Sequence, residues 1–326
     1  MDELATHDVA SAAQAAPHTE PDLIEVVDQL CASDSTMVRH ANRVPCGEPL
    51  PSRDTVHHIV DDLRTVLFPG YFGTPEVKPA TLRFHLGHTL DRVQGELQLQ
   101  IRRGLAFSCA VQETRDTDEC ASECNDKAHA ITARFLAQLP ELQRMLGTDV
   151  QASYEGDPAA SSPDETIFSY PGILAVTNYR IASALHRLGV PVLPRMITEQ
   201  AHSATGIDIH PGASIGEYFF IDHGTGVVVG ETCIIGERVR IYQGVTLGAK
   251  SFPLDRDGNP IKGIPRHPII EDEVIIYSGA TILGRITIGK GSIVGGNVWL
   301  TQSIPPGSRI LNQPPRQETF QHGGGI

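Results

Sequence analysis

A histidine set among glycines is the residue in this chain best placed to move a proton. His223 lies in Asp222-His223-Gly224-Thr225-Gly226, where small neighbours let a side chain leave the regular backbone and face a cleft or a partner. An imidazole is neutral at the pH of the cytoplasm, which suits it to taking a proton from an alcohol as the alcohol attacks a carbonyl. Asp208 precedes His223 by fifteen residues, and Asp222 adjoins it. Farther along, Arg266-His267 pairs a guanidinium fork, which fits a carboxylate, with a second imidazole. Asp157 opens the turn-rich stretch GDPAASSPDE. Each also has a plainer use: His223 as a polar corner residue, Asp208 as a turn cap, Asp157 as a helix cap and Arg266 as a solvated surface charge.

The elements that hold these residues change character near residue 206. Before it the apolar spacing is helical: Leu86, Leu90, Val93, Leu97 and Ile101 line one face, and Ile131, Phe135, Leu139, Leu142 and Leu146 line another, with Pro140 marking a kink or break. A third helix is expected from about Gly172 to Leu188, capped by Gly189 and ended by Pro191 and Pro194. After residue 206 a six-residue beat takes over. Aliphatic residues fall at Ile209, Ile215 and Ile221, then Val229, Ile235, Ile241 and Leu247, then Ile270, Ile276, Ile282, Ile288, Val294 and Leu300. A helix has no use for period six. A parallel β-helix of triangular section does, with each hexapeptide forming one side and one corner, the aliphatic residue inside and a following small residue permitting the corner. Thirteen such positions make about four coils, enough to bury a continuous core. The beat slips by two residues across His223 and is interrupted by a long insertion between Leu247 and Ile270, and such breaks are where function is usually placed. The expected organisation is a disordered tail over 1–21, a helical region over 22–206, a β-helix over 207–304 and a flexible tail over 305–326.

Composition sets limits on partners. The chain has 326 residues, 40% of them hydrophobic and 20% charged, so it can bury real cores. Its net charge is −13, from 26 Lys+Arg against 39 Asp+Glu, which argues against a general nucleic-acid or anionic-membrane binder. No stretch approaches the ~20 apolar residues that span a bilayer. The acidic start, MDELATHDVASAAQAAPHTEPD, lacks the features of a secretory signal or transit peptide, and the cytoplasm is the expected compartment. The six cysteines form no disulfide framework. Cys120 and Cys124 lie one helical turn apart but lack a third and fourth zinc ligand nearby.

The DIHPGASIG segment at Asp208 to Gly216, IDHGTGVVVGET at Ile221 to Thr232 and RHP at Arg266 to Pro268, set in hexapeptide repeats, resemble the serine O-acetyltransferase family. The hexapeptide pattern alone is shared by many acyltransferases, and the three segments together are more specific. The resemblance implies an α+β chain with an all-helical N-terminal domain and a left-handed coil, which departs from the usual right-handed crossover. It implies acetyl transfer from acetyl-CoA to L-serine, with His223 and Asp208 as a catalytic dyad and no permanently bound cofactor or metal. Asp157 and Asp222 would then meet the serine ammonium, and Arg266 and His267 its carboxylate and hydroxyl side. The acetyl-CoA groove would run between neighbouring subunits, along Gly248, Ala249, Ser278, Gly279, Gly295 and Gly296. Lys250, Arg256, Lys262 and Arg266 would supply local charge for its phosphates, whereas Tyr277 and Trp299 are larger than usual there. Further implications are a homotrimer or dimer of trimers, feedback inhibition by cysteine, and docking of the terminal Ile326 into O-acetylserine sulfhydrylase. The competing uses are a zinc-dependent carbonic anhydrase, with His210, His223 and His267 meeting across a seam, and a non-enzymatic scaffold for the sulfhydrylase.

Overall fold

Each six-residue beat becomes one short strand and one bend of a three-sided parallel coil. The first coil is β1 (Asp208–Ile209), β2 (Ser214–Ile215) and β3 (Phe220–Asp222), and the second is β4 (Val228–Val229), β5 (Ile234–Ile235) and β6 (Arg240–Tyr242). The third is β7 (Thr246–Gly248), β8 (Ile269–Ile270) and β9 (Ile275–Ile276), and the fourth is β10 (Thr281–Leu283), β11 (Thr287–Ile288) and β12 (Ile293–Val294). β13 (Trp299–Leu300) and β14 (Arg309–Ile310) belong to a fifth. Equivalent strands stack in parallel: β1-β4-β7-β10-β13 makes face 1, β2-β5-β8-β11 face 2 and β3-β6-β9-β12-β14 face 3. This computed structural model describes residues 22–32, 49–73, 78–111 and 117–313, with the side chains of 110–111 and 117–121 not described. The expected tail over 1–21, Cys120 and Ile326 therefore lie outside the described residues and side chains.

The inward positions are those the beat marks. On face 1, Ile209, Val229, Leu247, Ile282 and Leu300 lie in register on successive strands. All thirteen marked residues join the core, Leu300 being only partly buried. Burying each aliphatic side chain is worth about 1.5–3 kcal/mol, and the period-two alternation of a strand sends its neighbours outward. A second buried set precedes the first by two residues, including Val227, Cys233, Val239, Val245, Val274 and Ala280. Cys233 is thus a core residue, and burial pushes its thiol up to about 12.

The small residues after each aliphatic position serve a different purpose from the one expected. Gly216, Gly236 and Gly289 do not have positive φ. A Cβ on Gly216 would instead meet the Gly236 carbonyl oxygen at 2.7 Å, and one on Gly289 would meet the Pro306 nitrogen at 2.3 Å. Close stacking of coils, rather than backbone freedom, selects glycine there. The left-handed conformation occurs elsewhere, in a column formed by Gly206, Gly226, Gly244 and Gly279 with φ of +71° to +80°, ending at Asn297.

The N-terminal part is helical: α1 (Leu23–Ala32), α2 (Arg53–Leu67), α3 (Pro79–Val111), α4 (Thr117–Leu136), α5 (Leu139–Gly156), α6 (Pro163–Ser169), α7 (Pro171–Arg187) and α8 (Leu193–Thr205). Met1–Val44, which carries α1, and Pro45–Ile326 are separate compact units. The first apolar stripe lies on α3. The second divides between α4 and α5, with the break at Ala137–Gln138 just ahead of Pro140. The third is α7, and Gly189 follows it at φ +79°. Pro194 does not simply end that helix; it sits in the first turn of α8, where its missing N–H costs nothing.

The transition at residue 206 lies inside one hydrophobic core. Ile173 and Tyr179 of α7 and Ile197 of α8 share a cluster with Ile207, Phe219 and Ile221 of the first coil. A buried ion pair reinforces this junction. Arg180 of α7 donates to Asp149 of α5 through Nε at 2.5 Å and Nη2 at 2.8 Å, and Nη2 also donates to the Gly216 carbonyl at 2.8 Å. Asp149 accepts from the Phe219 amide at 3.0 Å. The coil also continues past the expected end at residue 304, because β14 pairs with β12 through Ile310. No helix of the described residues is long and apolar enough to cross a membrane.

Candidate active site

His223 follows β3 at the bend from face 3 to face 1, where the six-residue beat slips. Its φ is +57°, a left-handed conformation that costs a non-glycine residue about 1 kcal/mol or more, and its side chain is 71% exposed. The next residue, Gly224, has φ +88° and packs so closely that a Cβ would meet Ile207 Cδ1 at 2.5 Å. The bend is therefore held by the core, while the imidazole stands free of it.

Two carboxylates, of Asp222 and Asp157, lie at this bend, and that of Asp208 turns to other partners. Asp222 Oδ1 lies 3.7 Å from His223 Nε2, and its side chain is mostly buried. Asp157 ends α5 and does act as a cap: its N–H donates to the Ser153 carbonyl, and its Oδ1 accepts from the Ala159 amide at 2.8 Å. Its Oδ2 accepts a 2.5 Å hydrogen bond from the Tyr170 hydroxyl. This bond, with the Ala159 amide and the field of His223, holds the Asp157 carboxyl below the usual carboxylate range. Burial and the same bond push the Tyr170 phenol up to about 12, and Asp222 adds to the shift. Asp157, Tyr170, Asp222 and His223 thus form one cluster. Asp208 begins β1, in register with Val228 on the strand that follows His223. Its carboxylate lies with Glu199 and His202 of α8, the potential ligand atoms of the three falling within 4.8 Å of one another.

Arg266 and His267 occupy the other edge of face 1, at the bend into face 2. Arg266 Nη2 donates to Glu231 Oε2 at 2.7 Å, while its buried Nε has no hydrogen-bond partner among the described residues. Burial pushes Glu231 upward, but the hydrogen bond and charge of Arg266 leave its carboxyl below the ordinary range. His267 Nδ1 accepts from the Thr232 amide at 3.0 Å, so the neutral ring carries its proton on Nε2. Burial, then the charge of Arg266, lowers its pKa and favours that neutral form. His210 is held similarly: its Nδ1 accepts from the Gly212 amide, and burial with the charge of Arg195 lowers its pKa to about 4.

One chain therefore carries two groups of candidate side chains. Asp157, Asp222 and His223 assemble on one edge of face 1, and Arg266, His267 and His210 lie at the other. The three histidines of the zinc reading do not converge within the chain. The expected groove residues divide the same way: Ser278, Gly279, Gly295 and Gly296 lie below His223 on its edge, and Gly248 and Ala249 lie on the Arg266 edge. Tyr277 stacks on Tyr242 with ring centroids 5.1 Å apart, and Trp299 is exposed on face 1. Sequence reasoning missed Tyr170, Glu231 and Thr232. Tyr170 did leave a trace, since it precedes Pro171 in a helix N-cap slot that Ser, Thr, Asp or Asn usually fills.

The bacterial transferase hexapeptide family (six repeats) matches residues 267–302. The chain is 54% identical over 278 residues to the plasmid serine acetyltransferase of Synechococcus elongatus, covering 85% of this chain and 86% of that one. It is also similar to the crystal structure of Entamoeba histolytica serine acetyltransferase 1 in complex with L-cysteine, with 37% identity, a TM-score of 0.64, and coverage of 78% of this chain and 86% of that one. Against soybean serine acetyltransferase complexed with serine, the identity is 29% and the TM-score 0.50, over 82% of this chain and 99% of that one. With more than half of its residues identical over most of both chains, the chain belongs to the serine acetyltransferase family.

Proposed function

We propose that this chain transfers the acetyl group of acetyl-CoA to the hydroxyl of L-serine, giving O-acetylserine and CoA. The observation that carries the reading is the exposed His223 imidazole at a strained bend, beside the Asp222 and Asp157 carboxylates. His223 takes the hydroxyl proton as the serine oxygen attacks the thioester carbonyl. The tetrahedral intermediate collapses with cleavage of the C–S bond, and the proton passes from the imidazolium to the departing thiolate. The thioester is already activated, so no acyl-enzyme is needed. Asp222, 3.7 Å from the imidazole, steadies its charged form, and Asp208, whose carboxylate lies with Glu199 and His202 in the free chain, is assigned the role of turning toward His223 to orient it.

Asp157 and Asp222 hold the serine ammonium. Arg266 and His267 hold the carboxylate and hydroxyl side, and the unpartnered Nε of Arg266 gives its guanidinium a donor to offer. Because these residues occupy opposite edges of face 1, a working site uses two copies, which favours a trimer with sites at its seams, alone or paired into a hexamer. Acetyl-CoA is a co-substrate lying along the small residues Gly248, Ala249, Ser278, Gly279, Gly295 and Gly296. Cysteine competes at the serine pocket, as the cysteine-bound relative suggests. The terminal Ile326 docks into O-acetylserine sulfhydrylase, and the enzyme works in the cytoplasm.

The test follows CoA release from acetyl-CoA with serine, homoserine or water as acceptor. Serine-dependent release is expected, and His223→Ala should lower turnover about 10²–10⁴-fold with an unchanged far-UV spectrum. Equal release without serine, or wild-type turnover in the variant, would reject the assignment.

A further inference from the structure

Tyr170 lies among the acceptor-binding residues without a role of its own. It occupies the N-cap position of α7 yet its side chain makes no capping hydrogen bond. Its hydroxyl is directed instead at Asp157 of the neighbouring helix, at 2.5 Å. The contact is a second rung between α5 and α7, beside the buried Asp149–Arg180 pair, and the two lie about two to three turns apart: Asp149 to Asp157 spans about 12 Å and Tyr170 to Arg180 about 15 Å, at about 1.5 Å per residue. The deep rung fixes the helices to the first coil, and the outer rung fixes one carboxylate at the mouth.

Each Asp157 oxygen already has a donor, Oδ1 the Ala159 amide and Oδ2 the Tyr170 hydroxyl. A carboxylate held from both sides cannot rotate, and its remaining lone pairs keep one direction. We infer that Tyr170 is a positioning residue for the acceptor's ammonium group, its hydroxyl holding Asp157 charged and aimed toward the His223 bend. The inference rests on the acetyl-transfer reading. The charged or titratable groups facing this carboxylate are Tyr170, Glu165 and His223, and Asp222 acts on the Tyr170 hydroxyl.

Tyr170→Phe in the full chain removes only the hydroxyl. Its KM for serine is expected to rise about tenfold, with kcat within about twofold and KM for acetyl-CoA unchanged, as for loss of one charge-assisted hydrogen bond. Against 3-hydroxypropionate, which lacks the ammonium, the variant and wild type should have equal kcat/KM. The acid-side fall of kcat/KM for serine should also begin at higher pH in the variant, because Asp157 loses the donor that keeps it ionised as protons become abundant. Combined with Asp157→Asn, Tyr170→Phe should add nothing to the loss caused by Asp157→Asn alone. An unchanged KM for serine, or equal losses for both acceptors and for acetyl-CoA, overturns the inference. A wild-type enzyme idle toward serine overturns the acetyl-transfer reading and this inference together, whereas an active wild type with an indifferent Tyr170→Phe overturns this inference alone.

Discussion

At Gly230 the protein has room for a hydrogen atom and nothing more. A Cβ there would lie 2.1 Å from His267 Cδ2 and 2.2 Å from its Nε2, far inside van der Waals contact. His267 cannot yield easily, because the Thr232 amide and hydroxyl hold Nδ1 at 3.0 and 2.9 Å. The glycine therefore seats the imidazole with its Nε2 proton directed away from the threonine. Gly230→Ala should expel the ring, lowering kcat/KM for serine at least ~10-fold, a loss of about 1.4 kcal/mol in transition-state stabilisation. Steady-state kinetics with serine varied, alongside a thermal melt, would check this, and wild-type kinetics in a folded variant would show that the seat is dispensable.

A buried ion pair ties the helices to the first coil of the β-helix. Asp149 and Arg180 are 0% and 3% exposed, and between them they bind the Gly216 carbonyl and the Phe219 amide of the first coil. Asp149→Ala strands the Arg180 charge in the core, which costs about 3–5 kcal/mol. The double variant Asp149→Ala, Arg180→Met should recover a substantial part of that loss, because no charge is then left unpaired. Urea unfolding of the two variants would decide it, and equal destabilisation would mean that the backbone bonds to the coil, rather than the charge pairing, set the cost. None of this pair was legible in the sequence, where an Asp and an Arg thirty-one residues apart look like ordinary surface charges. The coil was legible almost throughout, since inward residues such as Ile241 and Ile282 must recur every six positions for the faces to close. The glycines that follow them were noticed for the wrong reason, because a close approach between coils and a left-handed bend leave the same letter. His223 and Asp157 could be read as candidates, whereas Tyr170 showed only as an unusual N-cap residue ahead of Pro171, since its partner is set by the pairing of α5 with α7. Pro194 misled as a terminator because proline also opens helices.

For the whole molecule, the placing of the candidate residues on two edges of face 1 is the controlling fact. A left-handed parallel β-helix is a rigid prism whose face 1 separates His223 from Arg266 and His267. No side-chain rotation can carry one group across that face. If the groups act on one serine, the His223 edge of one copy must meet the Arg266 edge of another. This arrangement predicts complementation. Chains carrying only His223→Ala, or only Arg266→Ala, should each be nearly inactive as homo-oligomers. Co-expressed in equal amounts, they should regain roughly a quarter of wild-type activity, because random assembly of the proposed cyclic trimer would leave that fraction of seams with both edges intact. The doubly substituted chain mixed with wild type serves as the matched control for assembly. Activity measured across mixing ratios should follow the product of the two intact fractions, peaking at equal proportions. A mixture that stays inactive at every ratio, with mixed oligomers verified by mass, would require both groups to reach the substrate from one chain, which the stacked register of β1, β4 and β7 on face 1 opposes.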